Sequence, residues 1–136
     1  MSGLWAKLNL KDQSQIVILN APSSFVAELK ALGHVRVQQR ISVVKHLTFA
    51  LVFVVTKAEL DKVATTVVSK ASGDPLLWFA YPKSTSTRYK CDFNRDTGWD
   101  VLRQSGFDTV RQVAIDEDWS ALRFRRTQYI NHRPAK

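Results

Sequence analysis

LTFALVFVVTKAELDKVATTVVSKA, residues 47–71, decides how this chain folds. Its first nine residues, Leu47 to Val55, are apolar except for Thr48. A run of that length without alternation fits a strand covered on both faces, as strands inside parallel sheets are. The period then changes. Thr56 and Glu59 form a T-x-x-E capping box, and Leu60, Val63, Ala64, Val67, Val68 and Ala71 trace one helical stripe. The many Val and Thr residues are weak helix formers, but the spacing outweighs them. A buried strand running straight into an amphipathic helix is the repeating unit of an α/β sheet.

Towards the N-terminus the unit recurs. Ile16-Val17-Ile18-Leu19 is a short buried strand ending at Asn20-Ala21-Pro22, and Pro22 suits a first helical position. Phe25, Leu29 and Leu32 follow at helical spacing until Gly33 supplies a left-handed stop. Val35 to Gln39 alternates and predicts a second, more exposed outer strand, while Arg40 to His46 is too short for a covering helix. Ser2 to Asn9 predicts one helical turn packing Leu4, Trp5 and Leu8, with a turn at Lys11-Asp12-Gln13.

Towards the C-terminus, Ser72-Gly73-Asp74-Pro75 stops the long helix and Leu76 to Tyr81 is the next buried strand. A polar loop runs from Pro82 to Lys90, and Thr97 and Asp100 open a helix that Gly106 ends, with Val101 and Leu102 inward. Thr109 to Ile115 and Trp119 to Arg126 predict an antiparallel hairpin joined by Asp116-Glu117-Asp118. The expected fold class is α/β: a single-domain, doubly wound, mostly parallel sheet with a C-terminal antiparallel hairpin. It spans residues 1–130, followed by a basic tail at 131–136.

Composition bounds the function. With 45% hydrophobic and 24% charged residues the chain is neither disordered nor fibrous. Its longest apolar run falls well short of the roughly 20 residues of a spanning helix, so no membrane association is expected. The first residues lack a secretory pattern, and Cys91 is the lone cysteine, which fits a cytoplasmic protein. The net charge of +8 raises nucleic acid as a partner. The cations are spread, however. Residues 1–75 carry nine Lys/Arg against five Asp/Glu, and residues 76–136 eleven against seven, so each half is +4. Only the stretch with Arg123, Arg125, Arg126, Arg133 and Lys136 is one-sided, and nucleic-acid contact there is the alternative function.

Right-handed crossovers send the two halves of the chain to opposite sides of the first strand, creating a switch point between residues 16–19 and 47–55. Ligands of such sheets sit outside the carboxyl ends of the strands at that point. Asn20 to Ser24, Thr56-Lys57 and Tyr81 to Ser86 are expected along this edge. Lys83 and Arg88, with the hydroxyls of Ser84, Thr85, Ser86 and Thr87, could hold a phosphate or carboxylate by charge-assisted hydrogen bonds. Free N–H groups at Ser23 and Ser24 could serve the same anion. Asn20, Lys57 and Tyr81 complete this anion crevice for a small anionic or nucleotide-like ligand; a plain solvated loop accounts for the same hydroxyls.

Other candidates carry less. Asp92 to Asp96 begins like a calcium loop, but the glycine comes one place late at Gly98 and Arg103 stands where the bidentate Glu belongs. Asp92, Asn94 or Asp96 capping the next helix explains these residues. Asp116 to Asp118 reads as a solvated turn, and His34, His46 and His132 share no metal spacing, so no metal is expected. Cys91, beside Lys90, has no identified base and reads as a packing residue. Trp78, Trp99, Trp119 and Phe124 are expected in the core, with Trp5 available for an oligomer contact. No catalytic constellation is visible.

The layout resembles the class I methyltransferase-like Rossmann fold. LNAP (19–22), LLWFAYPKSTS (76–86) and VRQVAIDEDWSALRFR (110–125) also resemble small bacterial proteins grouped as a domain of unknown function, over about Lys7 to Arg126. The resemblance implies a fold, with methyl transfer as the enzyme class if there is one, and S-adenosylmethionine as the cofactor. Methyltransferases usually carry a Gly-rich turn after the first strand and an acidic residue ending the second. Here the turn is Asn20-Ala21-Pro22-Ser23-Ser24, the second strand ends in Gln38-Gln39-Arg40, and one strand-helix unit is missing between Gln39 and Leu47. These departures disfavour S-adenosylmethionine, so no cofactor is expected, and a degenerate relative serving as a structural partner is a third reading.

Overall fold

The computed structural model describes residues 3–11, 13, 15–33 and 35–130. Ser2, the centre of the turn at Asp12, the histidines His34 and His132, and the tail with Arg133 and Lys136 lie outside the described residues. Six strands form one mixed sheet: β1 (Gln15–Leu19), β2 (Arg36–Gln38), β3 (Leu47–Phe53), β4 (Ala71–Pro82), β5 (Phe107–Ala114) and β6 (Trp119–Arg126). Their order is β2-β1-β3-β4-β6-β5. The first four are parallel, and β6 runs antiparallel between β4 and β5. The switch point between β1 and β3 lies where the sequence places it.

The alternation within β3 separates two cores. Ala50, Val52 and Val54 face α3 (Lys57–Lys70) and α4 (Asp100–Gln104). Phe49, Leu51 and Phe53 face α1 (Gly3–Lys7) and α2 (Val26–Lys30), where Trp5, Leu8 and Phe25 are fully packed. A strand buried on both faces must be apolar throughout, which is why Leu47 to Phe53 tolerates a polar residue only at its exposed Thr48. The helix following Pro22 is shorter than its apolar spacing suggests, a 3-10 turn at Ser23–Phe25 leading into α2. Between β2 and β3 only a 3-10 turn at Ile41–Val43 is formed, so β2 is an edge and the missing strand-helix unit is absent from the described residues.

α3 starts at the expected N-cap, Thr56, though Glu59 reaches past the N-cap amide to the residue before it. Thr56 Oγ1 accepts from Glu59 N at 3.1 Å, and Glu59 Oε1 reaches back to Val55 N at 2.7 Å. Asp92, expected to cap the following helix, instead accepts from Lys57 N at 2.6 Å and caps the preceding one. Nor does Thr97 cap α4. Trp99 occupies that position without a side-chain cap, and Asn94 Oδ1 takes the Thr97 amide at 3.0 Å.

Ser72 to Pro75 also differs from expectation. These residues belong to β4 as a bulge: the register with β3 jumps from Leu47↔Ala71 to Phe49↔Leu76, with Gly73 at a φ of +67°. The bulge is pinned from β6. Arg125 donates to Asp74 from Nε (3.0 Å) and Nη2 (2.7 Å), while Arg126 donates to the carbonyls of Gly73 (3.0 Å) and Ala71 (2.7 Å).

Candidate anion-binding cleft

The carboxyl end of β4 delivers Tyr81 and Pro82, both buried, and then Lys83. The loop that follows is tied to the β5–β6 turn. Lys83 N donates to Asp118 O at 2.8 Å and Ser86 Oγ to Asp118 Oδ1 at 2.9 Å, while Ser86 Oγ accepts from the amides of Arg88 and Tyr89. The turn is itself braced by Asp116 Oδ1, which accepts from the amides of Asp118 and Trp119. The Tyr89 ring packs on Trp119 at 4.9 Å between centroids.

A second wall comes from residues 91–98. Asn94 Oδ1 closes a turn on the Asp96 amide at 2.8 Å, and Trp99 Nε1 donates to Asn94 O at 2.8 Å. Phe93 meets Trp99 edge-on at 5.2 Å. An open cleft of about 720 Å³ lies between the walls. Its floor is Tyr81 on β4, Ser120 directly opposite on β6, and Gln112 on β5. Gln112 Nε2 donates to the Tyr81 oxygen at 3.2 Å, and Arg95 Nη1 donates to Gln112 Oε1 at 3.4 Å.

The cleft is cationic. Lys83, Lys90 and Arg95 line it against a single acid, Asp96, whose carboxylate lies 3.5 Å from Arg95 Nε. Among the described residues Lys83 and Lys90 have no ion pair. Burial pushes the Tyr81 hydroxyl above its ordinary pKa, with Arg95 pulling it partly back. Cys91 also lines the cleft, and burial raises its pKa, the opposite of an activated thiol.

Tyr81, Lys83, Ser84, Thr85 and Ser86 line this one cleft. The remaining residues of the expected crevice do not join it. Asn20 lines a separate cavity of about 330 Å³ with Pro22 and Gln39, and its Nδ2 donates to Phe53 O at 3.4 Å. Ser23 and Ser24 are exposed and line neither cavity. Lys57 is turned to Asp61 at 2.8 Å and Asp100 at 3.4 Å; its pKa is raised, chiefly by the hydrogen bond to Asp61. The reason is geometric: β3 lies between β1 and β4, so the loops after those two strands start about 10 Å apart.

Sequence reasoning does not reach Lys90, Arg95, Gln112 and Ser120 as site residues. Ser120 carries a signal, because period-2 reading of WSALRF puts its hydroxyl on the same face as Leu122 and Phe124. Of the tail arginines, Arg125 and Arg126 hold the β4 bulge, and Arg126 also lies 4.8 Å from the Phe107 ring centroid. Arg123 is half-buried, and burial followed by the charge of Arg125 lowers its pKa. Among the described residues no group of three or more His, Cys, Asp or Glu side chains is placed to hold a metal. No helix there is long and apolar enough to cross a membrane.

No family model matches the chain, and no curated protein matches it. Solved structures do match. A proposed type 11 methyltransferase from Sulfolobus solfataricus superposes with a TM-score of 0.54 at 11% identity, covering 96% of this chain and 82% of that one. The N-methyltransferase NodS from Bradyrhizobium japonicum WM9 gives 0.52 at 14% identity, covering 90% and 92%. The fold is methyltransferase-like. In this Rossmann-type frame the departures noted in the sequence fall in the smaller cavity. The turn after β1 has no glycine; Asn20 itself takes the left-handed φ of +60° there, and the neutral Gln39 stands beyond the end of β2.

Proposed function

We propose that this chain is a binding protein for a small anionic ligand, taken in the cleft at the carboxyl end of β4. The observation that supports it is the charge balance of that cleft: among the described residues Lys83, Lys90 and Arg95 line a concave site with Asp96 as the one counter-charge. Lys83 is half-buried beside the floor and Lys90 and Arg95 stand exposed around it, and a concave site lined by one sign of charge focuses its field on an anion. The volume of about 720 Å³ lies within the range of small-molecule sites.

S-adenosylmethionine has no role in this reading. The cavity where the fold family would hold it lacks the close backbone approach that glycine permits, and Gln39 cannot supply the charge with which a carboxylate binds ribose hydroxyls. The reading is tested by thermal unfolding with a panel of phosphorylated, sulfated and carboxylated small molecules against their uncharged parents. Charged members are expected to raise the midpoint, and Lys83→Ala combined with Lys90→Ala to abolish the rise. Equal shifts from the uncharged parents would overturn it.

A further inference from the structure

The floor of the cleft is more selective than its charge. Tyr81 and Ser120 face each other across the β4–β6 ladder on the face that carries α3 and α4, and they are only 4% and 5% exposed. The Tyr81 oxygen already accepts from Gln112, so its proton remains to be donated, and among the described residues no acceptor takes it. A tyrosine hydroxyl, ordinarily titrating at 10.0 and here raised further by burial, holds that proton at neutral pH. The Ser120 hydroxyl has no hydrogen bond among the described residues. Both hydroxyls lie in the lining of the cleft, where a ligand oxygen can take the place of solvent as their partner.

At the mouth, the backbone N–H groups of Ser84 and Thr85 also lack acceptors among the described residues. The acid of the cleft, Asp96, sits against Arg95, and the Gln112 oxygen is occupied by Arg95 as well. The site is thus rich in donors and poor in acceptors. Lys83, Lys90 and Arg95 less Asp96 leave a formal charge of +2 in the cleft. A carboxylate offers two oxygens and one negative charge. The dianion of a phosphate monoester offers three oxygens and two charges, which matches the formal charge of the cleft and brings one more acceptor to its donors than a carboxylate does.

We infer that the cleft takes the phosphate group of a phosphate monoester, its oxygens on the Tyr81 and Ser120 hydroxyls and its charge met by Lys83, Lys90 and Arg95. This rests on the anion-binding reading above and narrows it. The remaining volume leaves room for an organic body against Tyr89 and Phe93.

Calorimetric titration with phenyl phosphate, phenyl sulfate and benzoate tests it, since the three share a ring and differ in the anion. At pH 7.5 phenyl phosphate is expected to bind about tenfold or more tightly than benzoate, one added charge-assisted hydrogen bond being enough for that ratio. The advantage should shrink at pH 5, below the second phosphate pKa of about 6, while phenyl sulfate binding changes little. Ser120→Ala, which removes only a hydroxyl, and Tyr81→Phe should each weaken phenyl phosphate several-fold and benzoate by less, with thermal midpoints confirming folded variants. If Tyr81→Phe fails to fold, Ser120→Ala carries the test alone. Equal affinity of the three anions, or an undiminished phosphate preference in Ser120→Ala, would overturn the phosphate assignment and leave the anion reading standing. Binding of none of them would overturn both.

Discussion

Gly98→Ala is the substitution that joins the fold to the cleft most directly. Gly98 has a φ of +97°, and a Cβ placed there would lie 2.7 Å from the Phe93 Cβ and 3.4 Å from the Lys57 Cδ. Left-handed backbone costs a non-glycine residue about 1–2 kcal/mol. Phe93 is buried between Tyr81 and Trp99 and cannot swing away, so the overpacking adds about 1–3 kcal/mol. The expected loss is about 2–5 kcal/mol, a large part of the roughly 5–15 kcal/mol that holds a domain together. Gly33→Ala separates the two effects, since Gly33 has a φ of +66° but nothing within 4 Å of where a Cβ would stand. Urea unfolding followed by tryptophan fluorescence should show the Gly33 variant losing only the backbone share. Because Phe93 lines the cleft, the Gly98 variant should also lose affinity for anions. Equal losses of stability for the two variants would refute the contact argument.

Thr56→Ala should destabilise the chain by about 1 kcal/mol by removing the cap of α3, measured by the same urea titration. Cys91, its thiol pKa raised by burial, should react with iodoacetamide at pH 8 more slowly than a cysteine-containing peptide does. Asp100 has its pKa lowered, first by a hydrogen bond from its own amide and then by Lys57. Its favourable contribution is therefore present at neutral pH and lost as pH falls below the ordinary aspartate value of 3.8 through its own lower pKa. A carboxyl carbon resonance titrating at or above 3.8 would contradict that assignment.

How much of this was legible in the sequence depends on the range over which each feature is determined. β3 and α3 were legible because a change from continuous burial to helical period lies within 25 residues, and the capping residues adjoin it. Trp119 to Arg126 is legible with its bounds because the acidic turn that precedes it and its apolar residues are local. Ser72-Gly73-Asp74-Pro75 has the composition of a loop, yet it becomes a bulge because Arg125 and Arg126, more than 50 residues away, bind it. No local pattern carries that information. The same holds for the cleft. Its near wall, Lys83 to Ser86, follows from the end of an apolar strand, whereas Arg95, Gln112 and Ser120 come together only through sheet register. Joining Asn20, Ser23 and Ser24 to Lys83 overlooked the width of the strand between them.

The measurement that tests the cleft most directly is amide chemical-shift mapping of the whole chain during titration with phenyl phosphate. Saturable shifts are expected at Ser84, Thr85, Lys90, Arg95, Gln112 and Ser120, with Asn20 to Ser24 and Gln39 unmoved. Shifts confined to Asn20 to Ser24 and Gln39 would place the ligand at the carboxyl ends of β1 and β2 and contradict binding in the cleft.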